Sequence, residues 1–337
     1  MSEQTEILSY DLSKRRPQIL LVGNGITLQN GISTKELIKK TCKNNFNSED
    51  FIDNNSDSIS NKSIPFPILS MISSDLDDSI RRDKYLKAFE NVNHRNGLVE
   101  KLSKMNFDAI LTTNYTYEFE DCFVSDYSSK KNQNKIKFTL SMSDKKESNQ
   151  LIYTCNHFNG SPLIWHIHGE LRRKSSLILN HDEYARLIHK ILQHNKEMNN
   201  KYKEHFQDLQ IKSWIDYFII ADIYILGLSL SFAEFDLWWL LFRRMREHNS
   251  EIRGKIIFYD LWNQENECKY KTLKNCAVEV EHLNTNDEKP KLNNEVYLTF
   301  YEKAIKDIAS KLENTTPKSA AFNAIDSIIY QENNKAG

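Results

Sequence analysis

Four stretches of this 337-residue chain hold residues whose type and spacing could do chemistry. The first is Gly23-Asn24-Gly25 with Thr27, directly after the apolar run Gln18–Val22. A G-x-G turn at the end of a strand can present backbone N–H groups to a pyrophosphate at a helix N-terminus. The ordinary dinucleotide fingerprint wants a third glycine three residues after the second. That position is Leu28, and the next glycine is Gly31, followed by Ile32 and Ser33. A tight structural turn accounts for the same residues equally well. The second stretch is Leu111-Thr112-Thr113-Asn114, where an asparagine after a strand is by itself a turn or cap residue. The third is Trp165-His166-Ile167-His168-Gly169. His166 and His168 point to one face of a strand, as a metal pair would, although a metal site needs a third protein ligand. A histidine of ordinary pKa, about 6.5, can also act as a base near neutral pH, and one beside a glycine is often only structural. The fourth is Leu226-Gly227-Leu228-Ser229-Leu230, after the apolar run Ile223–Leu226.

The chain holds nine glycines, a low count for its length. Five of them, Gly23, Gly25, Gly31, Gly169 and Gly227, fall at the ends of three expected strands. Ligands of open α/β sheets bind at the carboxyl ends of the strands, where glycine lets backbone approach a ligand closely. A dinucleotide crevice follows from that concentration.

The elements that must position these residues alternate along the chain. Apolar runs at Gln18–Val22, Phe107–Thr112, Pro162–His168, Ile223–Leu226 and Lys255–Tyr259 read as strands. Stretches at 77–91, 97–105, 181–212, 235–246 and 296–312 read as helices, and 135–140 and 151–154 as short antiparallel strands. Such alternation predicts an α/β, Rossmann-like, mostly parallel sheet with helices on both faces, plus small insertions. We expect an N-terminal polar arm over 1–17, one domain over 18–315, and a tail over 316–337. Within the domain, 41–63 reads as a polar loop, and 124–158 and 181–212 as insertions. The stripe Phe235, Leu237, Trp238, Trp239, Leu241, Phe242 reads as core or a subunit interface. Arg172-Arg173-Lys174 reads as solvated, Glu120 as an ion-pair or cap residue, and Asp236 as a loop brace or helix cap.

Composition removes several classes. Hydrophobic residues make up 39% of the chain, enough for a substantial core, so a disordered chain is not expected. With 45 basic and 46 acidic side chains, nothing marks a nucleic-acid or membrane surface. The five scattered cysteines include no C-x-x-C pair, which argues against a zinc ribbon or a disulfide framework. No signal peptide and no apolar run of about 18 residues is seen, so a soluble, cytoplasmic protein is expected.

In this order, each after an expected strand, the four stretches resemble those of the sirtuins across roughly residues 18–260. They are the glycine loop with Gly31, the T-x-N of Thr112 and Asn114, His168-Gly169, and Gly227-Leu228-Ser229-Leu230. Gly31-Ile32-Ser33-Thr34, Asn114-Tyr115-Thr116 with Glu120, and Leu177-Ile178-Leu179-Asn180-His181 bring the chain nearest to bacterial sirtuin-like and AbiH-like proteins of phage defence. The resemblance implies an NAD glycohydrolase releasing nicotinamide and ADP-ribose, with NAD as substrate and no further cofactor. It also implies a homo-oligomer, in some relatives working with a partner such as a HerA-type ATPase.

By the same resemblance, Asn114 and His168 are the catalytic pair. Gly23, Asn24, Gly25, Thr27, Ser33, Thr113, Gly227, Ser229 and Leu230 contact NAD, with Tyr259 and Asp260 toward the adenosine half. Asn114 can offer an amide donor and acceptor to a ribose hydroxyl or to water, and His168 can serve as base. The chain departs from protein-deacylating sirtuins in three places. Thr116 stands where they carry aspartate, Thr34-Lys35-Glu36 replaces their D-F-R, and the four-cysteine zinc module is missing. These absences count against an acyl-lysine groove. Two rivals stay open: a non-catalytic NAD- or ADP-ribose-binding module, and a metal-dependent hydrolase or nuclease using the two histidines.

Overall fold

A strand paired in parallel on both sides lies under two layers of helix, so it must be apolar on both faces. Gln18–Val22 (β2), Ala109–Thr112 (β3), Leu163–His166 (β6) and Ile256–Tyr259 (β9) are buried at every position, and Asp222–Leu226 (β8) at all but its first. The computed structural model describes residues 8–27, 96–124, 137–139, 150–158, 161–198, 209–232, 234–246, 252–283 and 294–313, with Asp83 and Lys87. Among these, Glu279–Glu281 (β10), β9, β8, β2, β3 and β6 lie side by side in that order, all parallel. Numbered by their place in the chain, the six run third, second, first, fourth, fifth, sixth from the β6 edge. This is the doubly wound order of dinucleotide folds, and its switch point lies between β2 and β8. Beyond β6, Thr154–Asn156 (β5) and Lys137–Thr139 (β4) extend the sheet antiparallel to eight strands.

Side chains alternate across the pleat and build one core on each face. Ile19, Leu21, Leu111, Trp165, Ile225 and Phe258 pack with Leu187 and Ile191 of His181–Met198 (α4), Trp214–Ile220 (α5) and Leu237 and Leu241 of Phe235–Met245 (α6). Leu20, Val22, Ile110, Ile164, Leu226 and Ile257 pack with Leu98, Val99 and Leu102 of Gly97–Ser103 (α1) and with Ala304, Ile305 and Ile308 of Asn294–Glu313 (α8). Among the described residues, further helices are Glu120–Phe123 (α2), Gln150–Tyr153 (α3) and Glu267–Asn275 (α7). Among the described residues no helix is long and apolar enough to cross a membrane.

Several expectations change. Residues 150–153 form α3 where a strand over 151–154 was expected, and the strand follows at 154–156. The helix expected over 181–212 is described as far as Met198, whereas Leu209–Ile211 (β7) is a strand whose period-2 burial overrides its charged surroundings. β7 pairs antiparallel with Leu8–Tyr10 (β1), inside the expected arm. Tyr10 is buried there, and Arg15 holds the fully buried Asp108 at 2.9 and 2.8 Å. Of the stripe read as core or a subunit interface, Leu237, Trp238 and Leu241 are core, whereas Phe235 and Phe242 are exposed. The loop expected over 41–63, the tail, Ser33, and all of the expected helix 77–91 except Asp83 and Lys87 lie outside the described residues.

Candidate functional site

The chemistry-bearing residues gather at the carboxyl ends of the parallel strands. At the switch point, the loop after β2 rests directly on the loop after β8. The Gly25 N–H donates to the Gly227 carbonyl at 2.7 Å, and Gly23 N–H to the Leu226 carbonyl at 3.3 Å. A Cβ on Gly25 would lie 2.6 Å from both that carbonyl oxygen and the Tyr301 hydroxyl, so only glycine permits this approach. Asn24 and Thr27 are turned on each other, the Thr27 hydroxyl donating to Asn24 Oδ1 at 2.6 Å. Thr113 N–H donates to the Val22 carbonyl at 3.0 Å, tying the end of β3 to the same loop. Across the switch point Ser229 is half-buried, its carbonyl held by Lys269 at 2.9 Å, and Leu230 is buried with φ +46°. Tyr259 does not join this group. Its ring lies in the core facing α8, with the hydroxyl 2.6 Å from Asp307.

Asn114 follows β3 in a turn whose first bond runs from its own N–H to Thr112 Oγ1, 3.0 Å away. Its side-chain amide donates to Glu118 Oε1, and Thr116 holds the other Glu118 oxygen at 2.7 Å. Glu118 is wholly buried, and burial raises its pKa against the opposing pull of the bonds from Asn114 and Thr116. The Asn114 carboxamide is thus oriented: one N–H is engaged, and Oδ1 has no hydrogen-bond partner among the described residues.

The two histidines diverge. His166 ends β6 and is engaged at both nitrogens. Nδ1 donates to the Asn114 carbonyl at 2.8 Å, and Nε2 faces Glu120 Oε1 at 2.8 Å. Burial pulls the His166 pKa down, but the Glu120 carboxylate outweighs it and the net result is up, to about 9. Asn156 on β5 braces Glu120 at 2.8 Å. His168, two residues on, is buried against α6, with Nε2 2.9 Å from Asp236 Oδ2. Burial again acts downward on its pKa; Asp236, helped by Glu234, reverses it and leaves the pKa raised. The two histidines therefore meet separate carboxylates. Among the described residues no group of three or more metal-ligating side chains is assembled.

The loops of the expected pair are bonded to one another. Ile167 N–H donates to the Thr112 carbonyl at 2.9 Å, and Leu171 N–H to that of Tyr115 at 3.0 Å. Gly169 turns the chain at φ +96°, where a Cβ would lie 2.2 Å from the Ser176 carbonyl oxygen. Beside β6 lies a small recess lined by Thr154, Cys155, Asn156, Ile164, His166, Glu170 and Arg173. Arg173 pairs with Glu170 at 2.7 Å and Arg172 covers the Tyr117 ring at 4.7 Å, so the basic run is not merely solvated. Sequence reasoning passed over Glu118, Asn156 and Glu170. The four-residue step from Asn114 to Glu118 suggests a helical pair, but the chain between them turns, and nothing local marks Asn156 as a neighbour of Glu120.

Residues 108–269 match the family model described as the SIR2-like domain. That span runs from β3 into α7 and holds Asn114, both histidines, Gly227 and Asp236. The chain matches no curated protein.

Proposed function

We propose, from the SIR2-like match as premise, that this protein is an NAD glycohydrolase yielding nicotinamide and ADP-ribose. One observation carries the reading: an oriented asparagine and a carboxylate-paired histidine stand on bonded loops beside the glycine-lined switch point. Water adds to C1′ of the nicotinamide ribose as the C1′–N bond breaks, and the bonding electrons leave with neutral nicotinamide. Asn114 Oδ1 orients a ribose hydroxyl or the water, and His168 takes the surplus proton. The half-exposed Ser229 and the glycine loops bind ribose and phosphates. Depletion of NAD as an antiphage effector follows from the AbiH-like resemblance, in the cytoplasm and as a homo-oligomer that works with a defence partner such as a HerA-type ATPase.

The test is incubation of the purified chain with NAD, following nicotinamide by chromatography. We expect release that a chelator does not slow, and a loss of about a hundredfold or more in Asn114→Ala and His168→Ala with unchanged circular dichroism. Full activity in either variant would remove that residue from the mechanism. A second reading, a non-catalytic NAD- or ADP-ribose-binding module, is favoured by the Gly25 N–H, which already donates to Gly227 instead of facing a phosphate. Saturable NAD binding without nicotinamide release would establish it.

A further inference from the structure

We propose that Asp236 is the positioning residue of His168, holding its proton on Nε2 so that Nδ1 is the nitrogen that accepts the proton from water. The inference deepens the reading above and rests on it for the reaction, but not for the geometry. Asp236 lies in the first turn of α6, fully buried, 68 residues along the chain from the histidine it meets. A carboxylate only accepts, so the ring nitrogen 2.9 Å from Oδ2 must carry hydrogen in the neutral and the charged imidazole alike. The lone pair of the neutral ring is then on Nδ1, which has no hydrogen-bond partner among the described residues.

The two other carboxylate-paired histidines among the described residues differ on this point. His166 is bonded through both nitrogens, leaving none for a substrate. His194 Nε2 sits between Asp216 Oδ1 at 2.7 Å and Ser213 Oγ at 2.9 Å, and its Nδ1 meets the Tyr153 hydroxyl at 3.4 Å. Of the three histidine–carboxylate pairs among the described residues, only that of His168 keeps a ring nitrogen outside the network.

Asp236 Oδ1, moreover, is buried without a hydrogen-bond partner. The charged and titratable groups facing His168 are Asp236 and Glu234 at the start of α6, and Tyr184 of α4, whose ring meets the imidazole edge-on at 5.4 Å.

The experiment is a pH titration of the ¹⁵N-histidine-labelled full chain by long-range N–H NMR. His168 is assigned by its absence in His168→Asn. We expect the parent His168 to be the Nε2–H tautomer, titrating above the ordinary histidine range. In Asp236→Asn the tautomers should mix and the titration should fall, with Asp236→Glu restoring much of both. With NAD, Asp236→Asn should lower kcat by about 10²- to 10⁴-fold while KM changes less than about threefold. The acid limb of the residual rate should move to lower pH. An Nδ1–H tautomer in the parent overturns the proposal even if the variants do not fold. An unmoved titration in Asp236→Asn, or parental turnover by it, overturns it as well. If the parent releases no nicotinamide, the glycohydrolase reading falls and the NMR arm still decides the role of Asp236.

Discussion

A single residue separates His166 from His168, yet their neighbours give them different work. His166 bridges the Asn114 carbonyl and Glu120, so it fixes the turn that carries the asparagine. Its folded pKa stands near 9 against about 6.5 unfolded, so the charged pair stabilises fully below pH 6.5 and is lost as pH rises through 9. The contribution is of the order of 3 kcal/mol. Glu120→Gln removes the charge and nearly keeps the shape. Parent and variant Tm values should therefore differ most near pH 6 and converge by pH 10. A gap of constant size across that range would mean that the pair is not ionised in the fold.

Elements impose their own demands. β6 ends at His166, and the chain must turn back at once so that His168 reaches α6 and the Ile178 N–H reaches the His168 carbonyl at 2.9 Å. Gly169 makes this turn possible, at a positive φ and with its α-carbon close to the Ser176 carbonyl. Gly169→Ala should therefore destabilise by more than about 2 kcal/mol, beyond the ordinary left-handed penalty. The urea midpoint reads this directly. A variant as stable as the parent would show that the turn is looser than described. At α5 the same logic is visible in a side chain: Ser213 and Asp216 form a capping box, and Asp216 also receives His194 from α4, locking two helices at one point.

The whole molecule depends on contacts between segments far apart in the chain. Asp108, at the amino end of β3, is wholly buried and is met by the Arg15 guanidinium, the Gln18 N–H at 2.8 Å and the Tyr10 hydroxyl at 3.3 Å. The residues before β2 thus seal the lower edge of the sheet. Arg15→Ala leaves a buried carboxylate without its counter-charge, a change of about 3–5 kcal/mol. We expect a matching fall in the urea midpoint at unchanged slope. A fall under about 1 kcal/mol would return this segment to the periphery.

The strands, their order of appearance and the glycine-rich ends were legible in the amino-acid sequence because they rest on local rules. A strand buried on both faces is apolar throughout, and a backbone that must approach another closely is glycine. Asn114 and His168 were singled out through a four-stretch pattern along one chain. Their pairings were not: Glu118 passed unnoticed and Asp236 read as a loop brace or helix cap, because such partners are chosen by where loops and helices meet. Periodicity carries no information about which carboxylate two histidines will find 46 and 68 residues away. The same limit explains Leu8–Tyr10 and Leu209–Ile211, two short segments in polar surroundings that became strands only by pairing with each other. Tyr259 shows the converse: placed at a strand end, as a ligand contact would be, it was drawn instead into the core beside Asp307 on α8. Local sequence sets each segment's conformation and buried face, whereas the identity of a buried ion's counter-charge is settled only when distant segments are desolvated together.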